Sequence, residues 1–375
     1  MPASRTVVAT SLVLAAFTTA LVQRAADAET FAYVGNAASN DISVFKLDAA
    51  TGDMIPVQRA SFIGVEKPGS STPLAVSPNH RVLIAGVRSQ LYAAISYAID
   101  AKTGELKHIG NGPLADSMAN IAFDRTGRFL FSASYGGDKV AINPVDTEGV
   151  VGAPAEVIPT GLNAHAFLPS PDNRFVFATN LGSDLVLAFR FDATSGALTP
   201  DPAATVKTPD KSGPRHFIFH PNGRFVYLLH ELNADLAVYS YHAENGIWRE
   251  VQQATALPLE PEGKPSAARQ KPWAADLHIT PNGRFLYASE RTSSTLTAYR
   301  VDPATGQLTT IDSVPTEDQP RGFNIDPSGR YLAVVGELSN DMTVYAIDQA
   351  TGRLTKATSA PVGQQPNWVE FVDLP

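Results

Sequence analysis

GPRHFIFHPNGRFVYLLHELNADLAVYSYHAENG, residues 213–246, decides the fold. FIF, FVYLL and LAVYSY are apolar and rich in Val, Ile, Phe and Tyr, and Pro, Gly, Asn and Asp separate them. That is the pattern of antiparallel strands joined by tight turns. Successive connections in such a meander lie at alternate ends. The PNGR and AENG turns therefore share one end, and the incoming GPRH and the HELNAD loop share the other. Arg215 and Glu231 stand sixteen residues apart and are expected to meet at that second end, a mouth of the fold.

The same unit recurs through the chain. A P-x-G-R-like turn appears at SPNHR (Arg81), DRTGR (Arg128), SPDNR (Arg174), HPNGR (Arg224), TPNGR (Arg284) and DPSGR (Arg330). A D-x-x-T-G-like turn appears seven times, at Gly52, Gly104, Gly149, Gly196, Gly246, Gly306 and Gly352, with the third copy degraded. A period near 45–50 residues with four short strands per unit reads as a β-propeller. FAYVGN (31–36) matches the strand after a P-x-G-R turn, and PNWVEFVDLP (366–375) matches the strand before one. Each end supplies what the other lacks. The expectation is an all-β, seven-bladed β-propeller over residues 29–375, its ring closed by N- and C-terminal strands sharing one blade. The recurring turn arginine reads as structural, because every plain turn carries it.

The chain has 375 residues, 44% hydrophobic and 18% charged, which is ample for a globular core. Its net charge of -8 argues against a nucleic-acid partner. It has no cysteine, which removes disulfides and thiolate nucleophiles. Arg5, an apolar run over 7–22 and the triplet Ala26-Asp27-Ala28 describe a signal peptide over residues 1–28. The apolar run is short for a membrane span, so no stable membrane insertion is expected after cleavage. The mature protein is expected to be exported: periplasmic in a Gram-negative bacterium, otherwise secreted. One long polar insertion, residues 257–272, reads equally as a lid over the mouth and as a plain surface loop.

The chemically loaded residues fall on the mouth side. His165, Arg215, His216, Arg321 and Asn324 enter on first strands; Tyr135, Glu231 and Arg291 lie in loops after second strands. Arg215, Arg291 and Arg321 would make a locally positive funnel on an acidic protein, suited to carboxylate or phosphate. Glu231 or His165 is the candidate general base. His216 and His220 face the same way on one strand, but without a further well-spaced ligand they do not make a metal site. His278 reads as core, and Trp273 and Trp368 as packing anchors. No G-x-S-x-G, H-E-x-x-H or phosphate loop is present.

GPRHFIFHPNGRFVYLLHELN, WAADLHITPNGRFLYASERT and PTEDQPRGFNIDPSGRYL resemble the propeller-type 6-phosphogluconolactonases, a group that includes the fungal carboxymuconate cycloisomerases. The resemblance implies a small-molecule lactone or sugar-acid substrate and ring opening by water. By motif it implies catalytic roles for His165, Arg215, Glu231 and Arg291. Arg321, His216, Tyr135 and Asn324 are then expected to bind substrate. Under this reading Arg215 and Arg291 hold the anionic group or polarise the carbonyl. Glu231 deprotonates water, and His165 protonates the leaving ring oxygen. No metal or cofactor is called for, since a lactone ester is already activated. An export signal suggests an unphosphorylated acidic or sugar lactone. A muconate-type cycloisomerase and a non-catalytic exported binding propeller are the alternatives.

Overall fold

Seven antiparallel sheets form a ring in the computed structural model, which describes residues 28–67, 69–259 and 271–375. Residues 1–27 of the expected signal peptide lie outside the described residues, as do residues 260–270 of the long insertion. Blade 1 takes residues 29–61 and the closing strand Pro366–Leu374; blades 2 to 7 follow as 74–113, 118–159, 164–207, 214–255, 274–315 and 320–361. The first described strand, Glu29–Asn36, pairs with Pro366–Leu374 from Glu29↔Leu374 to Asn36↔Pro366. The ring therefore closes as the matching chain ends imply. The innermost strands of neighbouring blades lie against one another around a central channel.

Among the described residues there is no single core. Seven apolar clusters are found, each between two neighbouring blades. Phe177, Phe217 and Trp248, for example, fill the space between blades 4 and 5. A twisted four-stranded sheet buries both faces only when a neighbour covers each, so the blades stabilise one another. The repeat supplies the joints. Gly306 has φ +74°, and a Cβ there would fall 2.5 Å from the Phe225 ring of the preceding blade. Glycine alone allows both the left-handed backbone and that approach. Tyr227 Oη then donates to the Gly306 carbonyl at 3.1 Å, as Tyr287 does to Gly352 at 2.8 Å. Arg224 and Arg284 donate to the carbonyls of Ala304 and Gln349, in the glycine turn of the next blade.

Candidate active site

The mouth is built from two positions repeated around the ring. The first is a β-bulge at the mouth end of the inner strand. Pairing slips between Met118 and Asn120, Ala164 and Phe167, Pro214 and His216, and Pro320 and Gly322. A bulge re-aims a side chain. Here it turns Ala119, His165, Arg215 and Arg321 into the mouth. The second position lies seven residues after each turn arginine, where the second strand ends: Arg88, Tyr135, Glu231 and Arg291. These eight residues line one cavity of about 160 Å³.

Arg215 and Glu231 meet as their spacing requires: Arg215 Nε donates to Glu231 Oε2 at 2.8 Å. Arg291 Nη2 donates to the same oxygen at 2.9 Å, and the Trp273 indole N–H reaches Oε1 at 3.3 Å. The Arg291 guanidinium stacks 3.8 Å from the Trp273 ring centroid. Trp273 is thus a platform for an arginine rather than an apolar anchor. Backbone carbonyls take more donors: Ala275 from Arg215, and Trp273 and Ala274 from Arg291. Arg215 Nη2 and Arg291 Nη1 have no partner among the described residues. Burial, the largest influence, works to raise the Glu231 pKa. Arg215 and Arg291 outweigh it and hold the carboxyl below its usual range.

Arg321 donates to Glu337 at 3.0 Å, so blade 7 repeats the sixteen-residue pair of blade 5. Arg88 is different. Its Nε and Nη1 donate to Ser117 Oγ at 3.1 Å and Ser71 Oγ at 3.0 Å, and no carboxylate among the described residues pairs with it. Burial, then Arg321 and Arg215, bring its pKa down to about 10, which leaves it charged at neutral pH. Arg88 was missed because VRSQL does not look like HELNAD or ERTSST. Counting seven residues from Arg81 finds it.

His165 is 4% exposed and packs edge-on to Tyr135, with ring centroids 6.0 Å apart. Burial, then Arg215 and His216, hold its pKa well below that of a free imidazole, so the ring is neutral at pH 7. Two expected mouth residues lie elsewhere. His216 borders a deeper channel chamber of about 370 Å³, together with Asp276, His278, Trp368 and Glu370. Asn324 donates to the Val369 carbonyl at 3.0 Å and to Glu370 at 3.4 Å, and does not line the mouth. Strand alternation past the bulge turns His216 to the channel. His278 lines that chamber rather than the apolar core. His220 does not join His216: its Nε2 lies 3.1 Å from the Gly283 carbonyl.

Comparison with known proteins agrees with this fold. The family model for the seven-bladed beta-propeller lactonases matches residues 31–371. A 6-phosphogluconolactonase of Pectobacterium carotovorum is 39% identical over 293 residues, 78% of this chain and 83% of the relative. One from Yersinia pestis is 40% identical over the same shares. The structure of the Pseudomonas aeruginosa periplasmic gluconolactonase superposes with a TM-score of 0.82 at 29% identity. That match covers 93% of this chain and all of the other. The match over residues 31–371, the relatives near 40% identity and the seven-bladed ring together show that the chain belongs to the seven-bladed β-propeller lactonase family.

Proposed function

We propose that the protein hydrolyses a sugar lactone carrying an anionic substituent, using His165 as the base. The observation that carries this is the cavity lining: four arginines face it with one carboxylate, and that carboxylate is already occupied. Glu231 already accepts from three donors, two of them guanidinium groups, which suits a brace for two arginines better than a proton acceptor. His165, neutral and at the cavity wall, is the remaining base.

In this reading a water attacks the lactone carbonyl carbon and gives its proton to His165. The carbonyl oxygen becomes an oxyanion against Arg215 Nη2 and Arg291 Nη1, which are fixed before the reaction starts. The intermediate collapses with cleavage of the ring C–O bond. His165 returns the proton to the departing oxygen, which leaves as a hydroxyl. An imidazolium of low pKa is a good donor for that step. Arg88 and Arg321 hold the anionic substituent, and Tyr135 closes the wall beside His165. His216 and Asn324, below the mouth, do not touch substrate.

We further propose export: the charged start, short apolar run and Ala26-Asp27-Ala28 fit a cleaved signal, and a similar structure is a periplasmic gluconolactonase. Among the described residues no helix is long and apolar enough to cross a membrane. An exported enzyme meets carboxylate-bearing or unphosphorylated lactones more readily than phosphorylated ones. The deciding experiment follows acid release at pH 7 with glucono-1,5-lactone, its 6-phosphate and a glucarolactone, above protein-free controls. Acceleration that disappears in His165→Gln is expected. No acceleration of any lactone overturns the hydrolase reading. Full activity in His165→Gln overturns its base.

A further inference from the structure

Beneath His165 lies a set of groups that the hydrolytic reading does not use. His216 Nδ1 sits 2.8 Å from Asp276 Oδ1, and His278 Nε2 sits 3.4 Å from Asp276 Oδ2. The Leu277 N–H also donates to Asp276 Oδ1, at 3.0 Å. The His216 ring lies 5.0 Å from the His165 ring, centroid to centroid. Two nitrogens in this stack, His216 Nε2 and His165 Nδ1, are buried with no hydrogen-bond partner among the described residues. A buried polar atom left unpaired is costly, and adjoining histidines with one such atom each call for an explanation.

We propose that Asp276 and His216 are positioning residues that set the tautomer of His165. The proposal rests on His165 being the base. Asp276, held ionised, accepts the Nδ1–H of His216. The His216 Nε2 is then a lone pair. It accepts the Nδ1–H of His165, directly after a small ring rotation or through one buried water. His165 Nε2 is thereby left as a lone pair on the edge that faces the cavity, where the attacking water must deliver its proton. Each imidazole has one donor and one acceptor when neutral, so fixing the first ring fixes the second. Polarity runs one way, from the carboxylate to the mouth.

The surroundings favour neutral rings between a carboxylate and an arginine cluster. Burial works to raise the Asp276 pKa, but His278 and His216 outweigh it and hold the carboxyl far below its usual range. Burial and Arg215 bring His216 down to about 4. Trp368 closes the far side of His216, ring centroids 5.9 Å apart. His165 and Asp276 both lie at bulges, in blades 4 and 6, and His216 of blade 5 contacts each of them. The chamber carries a charged group at a depth that an apolar filling would otherwise occupy.

The test is nitrogen NMR of the histidine-labelled full chain with steady-state kinetics. In the wild-type protein His165 and His216 are expected as Nδ1–H tautomers; an Nε2–H signal for either overturns the proposal. Asp276→Asn puts an amide donor against His216 Nδ1 and reverses the chain. It is expected to lower kcat at least about 100-fold with KM little changed, and to move the His165 proton to Nε2. His216→Gln can donate toward Asp276 and accept from His165, so it is expected to retain clearly more activity than His216→Phe. Equal loss in those two variants counts against the chain. Wild-type kcat in Asp276→Asn, with activity still lost in His165→Gln, overturns the positioning and spares the base. Activity retained in His165→Gln defeats the base itself.

Discussion

The two faces of the propeller use the same residue for opposite purposes. On the turn face, Arg224 and Arg284 are exposed, lie over Phe225 and Phe285, and donate to carbonyls of the next blade. At the mouth, Arg215 and Arg291 are 2% and 5% exposed and share one carboxylate. Those two turn arginines belong to the repeat and are held by neutral groups in water. The mouth arginines break the repeat and are buried charges. A buried guanidinium is kept only where something compensates it, so departure from the repeat combined with burial marks the site better than residue type does.

The largest effect should come from cutting that compensation. Glu231→Gln leaves two buried guanidinium groups facing a neutral amide, and removing one partner of a buried pair costs about 3–5 kcal/mol. Urea unfolding should show the loss, together with loss of lactone hydrolysis. A variant that keeps its stability and loses only kcat would identify Glu231 as the base and restore the simpler reading of its carboxylate.

Acid should separate the faces next. His216 has a folded pKa of about 4 against an ordinary value of 6.5. Below pH 6.5 the unfolded chain takes up a proton that the folded chain refuses. The stability contributed by the neutral ring is therefore complete above pH 6.5 and is lost as pH falls toward 4, by on the order of 3 kcal/mol. Glu370 acts with the opposite sign. Burial raises its pKa from 4.5 to about 7, so its contribution is present below pH 4.5 and lost as pH rises through 7. Glu370→Gln should raise the melting temperature at pH 8 and leave it unchanged at pH 4. His216→Gln should flatten the acid limb between pH 6.5 and 4. Turn-face variants should alter neither limb.

Much of this was legible in the chain. The turn arginines and glycine turns carried the blade count, and FAYVGN with PNWVEF carried the closure. The alternation of strand connections brought Arg215 to Glu231. What did not show was the bulge, because one slipped residue leaves no mark on composition or period. Its consequence is that His216, next in sequence to Arg215, borders the channel chamber instead of the mouth, while Asn324, three residues past Arg321, bonds to the closing strand. Arg88 was hidden for another reason. Its loop, VRSQL, lacks the acidic residue that each counterpart carries, and only register against Arg81 places it.

Arg88 then sharpens the contrast within the mouth itself. Its neighbours are braced by carboxylates, whereas Arg88 is held by two serine hydroxyls and keeps charge to spare for a ligand. A hydrogen bond to a charged partner contributes about 1.5–3 kcal/mol. Arg88→Met should therefore raise KM for a glucarolactone or a phosphorylated lactone by at least about 10-fold. It should leave kcat, and both constants for neutral glucono-1,5-lactone, nearly unchanged. Equal losses on charged and neutral substrates would mean that Arg88 only supports the loops of blades 2 and 3.

The smallest effect belongs to the turn face. Arg224→Met removes a single 3.3 Å bond to the Ala304 carbonyl and a guanidinium 5.2 Å from the Phe225 ring. Both contacts are exposed to water, and the methionine side chain can still cover the ring. Surface substitutions of this kind lie within about 0.5 kcal/mol, and the change is remote from the cavity, so kcat and KM should stay at wild-type values. A drop of several kcal/mol in urea unfolding would show that the blade joints depend on turn arginines more than on Tyr227 and the Gly306 approach. In that case each turn arginine would matter to ring closure much as Glu231 matters to the mouth, and the division of labour between the faces would fail.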